Sequence, residues 1–123
     1  MKQMGMTHVT TTIRNLTGRG KGYTAEFLVD TGATHCLAPG HVLRKAGIRK
    51  EGRAAYERAD GQTAEYDYGF ARVSFLGEET VAQIIFGPAG TEPILGAVAL
   101  ENTGLAVDPK THLLRRMPAL PLK

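Results

Sequence analysis

Asp30, Thr31 and Gly32 interrupt an apolar run, Phe27-Leu28-Val29, where strand-like sequence gives way to a turn. The run carries the chain through an interior and delivers one carboxylate at a change of backbone direction. A carboxylate is equipped to take and give protons, and burying one is costly unless it is paired or hydrogen-bonded. Thr31 supplies a hydroxyl that can tie the turn down. Gly32 permits a tight turn and lets another group approach the backbone. A bare Asp-Thr-Gly also fits a surface turn at a strand end. The apolar run before it, and a second apolar-apolar-glycine element at Ile94-Leu95-Gly96, argue for the functional reading.

Other reactive side chains form no comparable group. His8, His35, His41 and His112 have no metal-ligand spacing, so no metal site is expected. His35 and Cys36 are neighbours, and in a strand neighbours point to opposite faces, so they make no nucleophilic pair. Cys36, the single cysteine, reads as a small buried residue and excludes an internal disulfide. Thr17-Gly18-Arg19-Gly20-Lys21-Gly22 lacks the Ser or Thr that a phosphate-binding loop needs after its lysine, and reads as a hairpin turn. No flavin or nucleotide signature is present, and no cofactor is expected.

The elements that must position Asp30 follow from composition and pattern. The 123 residues are 42% hydrophobic and 22% charged, which suits one globular domain with a single core. Fifteen glycines and abundant Thr and Val favour strands and turns. The net charge of +3 is spread over scattered bases without interleaved aromatics, which reads as solvated surface rather than a nucleic-acid face. No apolar run reaches membrane-spanning length, and Met1-Lys2-Gln3-Met4-Gly5 lacks the apolar core of a signal peptide. The expectation is a cytoplasmic protein with no membrane partner.

In chain order, strands are expected over 6–16 and Tyr23–Val29, with a short one over Thr34–Leu37 and a short amphipathic helix over Pro39–Ala46. Ala54–Arg58 and Gln62–Phe70 flank Ala59-Asp60-Gly61, a hairpin that projects from the core. The second arm continues to Leu76, turns at Gly77-Glu78 and returns over Thr80–Phe86, whose Val81–Phe86 run predicts burial on both faces. A short helix follows Gly96. A last hairpin joins Leu105–Asp108 to Thr111–Leu114 about Pro109-Lys110.

This order, with Val29-Asp30-Thr31-Gly32-Ala33, the projecting hairpin and Ile94-Leu95-Gly96 in sequence, resembles the retropepsin-like aspartic proteases over about 6–114. Leu95-Gly96 followed by Ala97-Val98-Ala99-Leu100-Glu101 is similar to the form seen in bacterial and archaeal single-domain members. The resemblance implies an all-β fold, a closed β-barrel with one or two short helices and a flap hairpin. It implies one domain over 1–123, with a core of about 6–114 and a basic, proline-containing tail at 115–123. It further implies Asp30 as the catalytic residue, Thr31 and Gly32 in support, and Ala33, Thr34, Ala59, Asp60 and Gly61 along bound peptide. Leu95 and Gly96 form the structural motif beneath the site.

Only one Asp-Thr-Gly is present, whereas this chemistry needs two carboxylates facing one water. The resemblance therefore implies a homodimer with Asp30 from each chain, acting on a peptide or protein substrate. Retroviral members carry an acid where Thr34 stands, and an Arg near Ala97-Val98, so substrate and dimer contacts here differ from theirs. The alternative is a catalytically silent domain of the same fold that dimerises or binds peptide.

Overall fold

Alternation of apolar and polar residues sets the strands. In β1 (Thr7–Arg14), Thr11 and Ile13 point inward while Thr10 and Thr12 face out. β2 (Tyr23–Val29) buries Phe27 and Val29 in the same way. The computed structural model describes residues 7–119. Met6, where the first strand was expected to begin, and the last residues of the tail lie outside that range. The remaining elements are β3 (Cys36–Pro39), α1 (Gly40–Lys45), β4 (Gly52–Glu57), β5 (Thr63–Phe75), β6 (Glu78–Gly87), β7 (Ile94–Leu95), α2 (Ala97–Thr103), β8 (Leu105–Val107) and β9 (Leu114–Arg116). The class is all-β, with two short helices.

Seven strands form one sheet in the order β1-β2-β7-β3-β6-β5-β4, and β1 also pairs with β5. The second pairing, from Thr11 opposite Phe75 to Arg14 opposite Arg72, closes six strands into a ring and leaves β4 outside it. The long strand β5 makes this possible by changing partners along its length. Thr63–Tyr68 pair with β4, whereas Tyr68–Phe75 pair with β6. The β4–β5 hairpin projects because β6 ends its pairing at Tyr68.

Inside the ring, Ile13, Phe27, Val29, Val73, Ile84 and Leu95 are wholly or almost wholly buried. Each such side chain stabilises the fold by roughly 1.5–3 kcal/mol relative to exposure. α1 closes one flank with Leu43, and α2 adds Ala99 and Leu100. Among the described residues no helix is long and apolar enough to cross a membrane.

Several local expectations are corrected. β3 begins at Cys36 rather than Thr34, because the carbonyls of Ala33 and Thr34 accept the amides of Ala97 and Val98 instead of joining a ladder. Val81–Phe86 is not buried on both faces: Val81 is 45% exposed, and Ala82, Ile84 and Phe86 alone of the run are buried. A strand in a ring has one interior side. The β5–β6 turn is Leu76-Gly77, one residue earlier than expected, and both residues have positive φ. The last hairpin pairs β8 with Leu114–Arg116, not Thr111–Leu114. The Asp108 side chain accepts the amide of Lys110, and its carbonyl accepts that of His112, which lengthens the loop. Ordered pairing thus reaches Arg116, and Met117 donates its amide to the Gly104 carbonyl.

Candidate active site

β2 delivers Asp30 half-buried at its end, less enclosed than the apolar run predicts. Three backbone contacts fix the turn that follows. Asp30 donates its amide to the Leu95 carbonyl (3.1 Å), and Ala33 donates to the Asp30 carbonyl (3.1 Å). Ala97 donates to the Ala33 carbonyl (2.8 Å). The carboxylate is oriented as well, since Oδ1 accepts the Gly32 amide at 2.9 Å. Among the described residues no other donor reaches it, so Oδ2 is open to a water or a second group. Thr31, Gly32 and Thr34 are exposed, and Ala33 is half-buried.

β7 is the brace. This two-residue strand runs parallel to β2, with Leu28 opposite Ile94 and Val29 opposite Leu95, and antiparallel to β3 through Leu37 opposite Ile94. It therefore separates the strands on either side of the Asp30 turn. Leu95 and Gly96 are fully buried beneath that turn. A Cβ at Gly96 would lie 2.6 Å from the His35 carbonyl carbon and 2.9 Å from the Thr34 oxygen, so only glycine admits the close approach.

The pairings also assemble a surface that no single segment shows. Leu28 faces Ile94, Ile94 faces Leu37, Leu37 faces Ile85 and Ile85 faces Tyr68. Directly paired residues share a face of the sheet, so these five form one row across five strands, on the side opposite the core. All five are half-buried. The row begins two residues from Asp30 and ends at the base of the β4–β5 hairpin. The sequence alone does not show this row, because the alignment of its members depends on register between distant strands; Val98 lies on α2, outside it.

Beyond Tyr68 the same face carries Ala54, Tyr56, Ala64 and Tyr66 of the hairpin. Tyr56 and Tyr66 lie 6.4 Å apart, and the Tyr56 hydroxyl accepts from Gln83 at 3.2 Å. Tyr68 lies across Gly52, where a Cβ would come within 2.6 Å of its Cζ. At the tip, Gly61 donates to the Arg58 carbonyl and Arg58 to the Gln62 carbonyl, a three-residue loop with Gly61 at φ 85°. Ala59, Asp60 and Gly61 are exposed, and the bonds of the tip are made within it. The tip and the Asp30 turn thus belong to separate elements and share no hydrogen bond among the described residues.

The remaining sequence candidates are accounted for structurally. Cys36 is 1% exposed, and burial pushes its thiol up to about 11 despite a hydrogen bond with the Gly96 backbone. It serves as packing under β7. The described residues hold no cluster of three or more metal-ligating side chains. Asp67 is the residue that sequence reasoning overlooked. It accepts from Arg53 and also faces Lys50 and Arg44, so part of the basic stretch read as solvated surface converges on one carboxylate.

A ring of strands with an Asp-Thr-Gly turn braced by an apolar-apolar-glycine strand defines the retropepsin-like class. The family model described as "gag-polyprotein putative aspartyl protease" matches residues 16–102, a span that includes the Asp30 turn, the projecting hairpin and β7. The chain belongs to this family. No curated protein matches it in sequence.

Proposed function

We propose that the protein is an aspartic endopeptidase that works as a symmetric homodimer, with Asp30 of each protomer facing one water. The observation that carries this reading is the Asp30 turn. Its backbone is locked to Leu95, one carboxylate oxygen is held by the Gly32 amide, and the other is left open. Such a group is oriented for proton transfer rather than consumed by structure.

The second carboxylate comes from the partner because this chain's other aspartates are engaged elsewhere. Asp60 bonds Arg58 and Gln62 at the hairpin tip, Asp67 bonds Arg53, and Asp108 caps the β8–β9 loop. A twofold axis beside the Asp30 turn would place two copies of it in one site, with Thr31 bracing the turns across the axis. Two carboxylates about 3 Å apart cannot both ionise and share one proton. The ionised member takes a proton from water as the oxygen attacks the scissile carbonyl carbon. The protonated member gives its proton to the carbonyl oxygen. The newly protonated carboxyl then gives its proton to the amine nitrogen as the C–N bond breaks. The other carboxylate takes a proton from a hydroxyl of the gem-diol, leaving a carboxylic acid, an amine and one proton shared by the pair.

The Leu28–Tyr68 row supplies apolar subsites for an extended peptide. Ala33 and Thr34 flank the peptide backbone on one side. The β4–β5 hairpin acts as the flap, with Ala59, Asp60 and Gly61 over the substrate.

The test is to incubate wild type and Asp30→Asn with a diverse peptide mixture from about pH 4 to about pH 7 and read the products by mass spectrometry. Wild type is expected to cleave, and the variant to lose about a thousandfold or more. Specific activity should also fall on dilution, as the dimer dissociates. Equal cleavage by both proteins would refute the assignment of Asp30. Peptide binding without turnover by a folded dimer would favour a binding domain of the same fold.

A further inference from the structure

We propose that Asp67 is a positioning residue that holds the β4–β5 hairpin at a fixed angle to the Leu28–Tyr68 row, by gathering cations from three separate segments under the hairpin's base. The inference rests on the peptidase reading only for its kinetic consequence; the anchoring stands on geometry alone.

Asp67 occupies the last hairpin position before β5 exchanges β4 for β6 at Tyr68. Its neighbours Tyr66 and Tyr68 face the row, so Asp67 points to the opposite side. There it meets Arg53 Nη1 of β4 at 2.9 Å, Lys50 Nζ of the connector at 3.3 Å and Arg44 Nη2 of α1 at 3.7 Å. Glu65, also on this side, shares Arg53 through Nε at 3.3 Å. The Asp67 side chain is only 16% exposed, whereas its three cations are each more than half exposed. The carboxylate is thus the enclosed centre, and the cations reach in from outside.

These partners are fixed points. Arg44 lies over the Phe86 ring (5.3 Å to its centre), and its helix is pinned to the core by Leu43. The connector is equally constrained: Glu51 donates its amide to the Tyr68 carbonyl at 2.8 Å, and Gly69 packs against the Arg49 carbonyl. Among the described residues β4, by contrast, pairs with no strand except β5. On the other face, the hairpin is tied to the ring through Tyr56 and Gln83. Two ties on opposite faces define an angle, and Asp67 is the tie at the back.

An isolated surface ion pair contributes little, but a shared carboxylate also cancels repulsion among its cations. Without it, Arg44, Lys50 and Arg53 face one another, and among the described residues Glu65 is the one other carboxylate ion-paired with any of them, through Arg53. Arg53, on β4, is then driven from α1. The tip stands about 20 Å along β5 from Asp67, so a tilt of about 10° at the base moves it by about 3 Å.

Two proteins test this: Asp67→Asn, which keeps shape and removes charge, and the double variant Arg44→Gln/Lys50→Gln, which removes the external partners and leaves Arg53 paired. Hydrogen exchange is measured on the full chain at the hairpin amides 53–67 and at the amides of β2 and β6. Kinetics are measured on a peptide that wild type cleaves. The expected result in both variants is exchange about tenfold faster across the hairpin with β2 and β6 unchanged. KM should rise about three- to tenfold, with kcat within about twofold. Unchanged hairpin exchange in both variants would overturn the proposal. So would equal acceleration in hairpin and core, which is the mark of a merely global role. If wild type cleaves nothing, the peptidase reading fails, and the exchange pattern still decides whether Asp67 anchors the hairpin.

Discussion

The backbone of His35 lies directly on Gly96, so close that a side-chain carbon there would sit 2.6 Å from its carbonyl carbon. This contact joins the segment after the Asp30 turn to the brace beneath it. Leu95 and Ala97, on either side of Gly96, bond Asp30 and Ala33 respectively. The brace and the turn therefore behave as one unit.

Gly96→Ala should destabilise the fold by about 1–3 kcal/mol, because the clash is with backbone that has no rotamer to change. It should also displace the Asp30 turn. Urea denaturation measures the first effect. Peptide cleavage under conditions where the variant remains folded measures the second, with a loss larger than the fraction unfolded explains.

Leu76 sits at φ 51° in a two-residue hairpin turn and is 58% exposed. The turn demands positive φ at both positions, which a leucine adopts with strain and an asparagine tolerates. Leu76→Asn should therefore stabilise the protein by about 0.5–1 kcal/mol, read as a rise in the denaturation midpoint at constant slope. No change in midpoint would mean that packing of the leucine offsets its strain.

Cys36 should be inert in the folded protein. Its thiol is enclosed beneath β7 and raised to about 11, so little thiolate exists at neutral pH. Iodoacetamide at about pH 8 is expected to label the denatured chain fully while leaving the native protein unmodified. Rapid native labelling would show that β7 opens readily.

Asp67 gives a pH signature with a definite sign. Hydrogen bonding to Arg53, and secondarily the nearness of Lys50, hold its carboxyl below the ordinary 3.8. A group whose folded value is depressed stabilises the fold above its unfolded value, and that stability is lost as pH falls through the folded value. Wild type should exceed Asp67→Asn in stability by a constant margin above about pH 5, and the margin should close in stronger acid. Denaturation midpoints of the two proteins across that range provide the check. The hairpin base thereby stays charged and tied through the mildly acidic range in which a shared-proton carboxylate pair operates.

The local parts of this protein were legible in its residues. The run Phe27-Leu28-Val29 states a buried strand, Asp30-Thr31-Gly32 its abrupt end, and Ala59-Asp60-Gly61 a hairpin tip, because each depends on neighbours within a few positions. The likeness to the retropepsin-like proteases followed from their order. What the sequence could not state was anything set by pairing across long separations. Leu37 looks like any apolar strand residue until β7 enters between β2 and β3 and aligns it with Leu28 and Ile94. The expected interior placement of Val81 failed because closure of the ring through β1 and β5 gives each of its strands one inside. Asp67 and Arg44 stand far apart in the chain, and only the fold brings carboxylate and guanidinium together. Short-range sequence thus determined which elements form and where a carboxylate is presented. The tertiary structure decided what that carboxylate stands beside, because register and strand order are collective properties of the whole sheet.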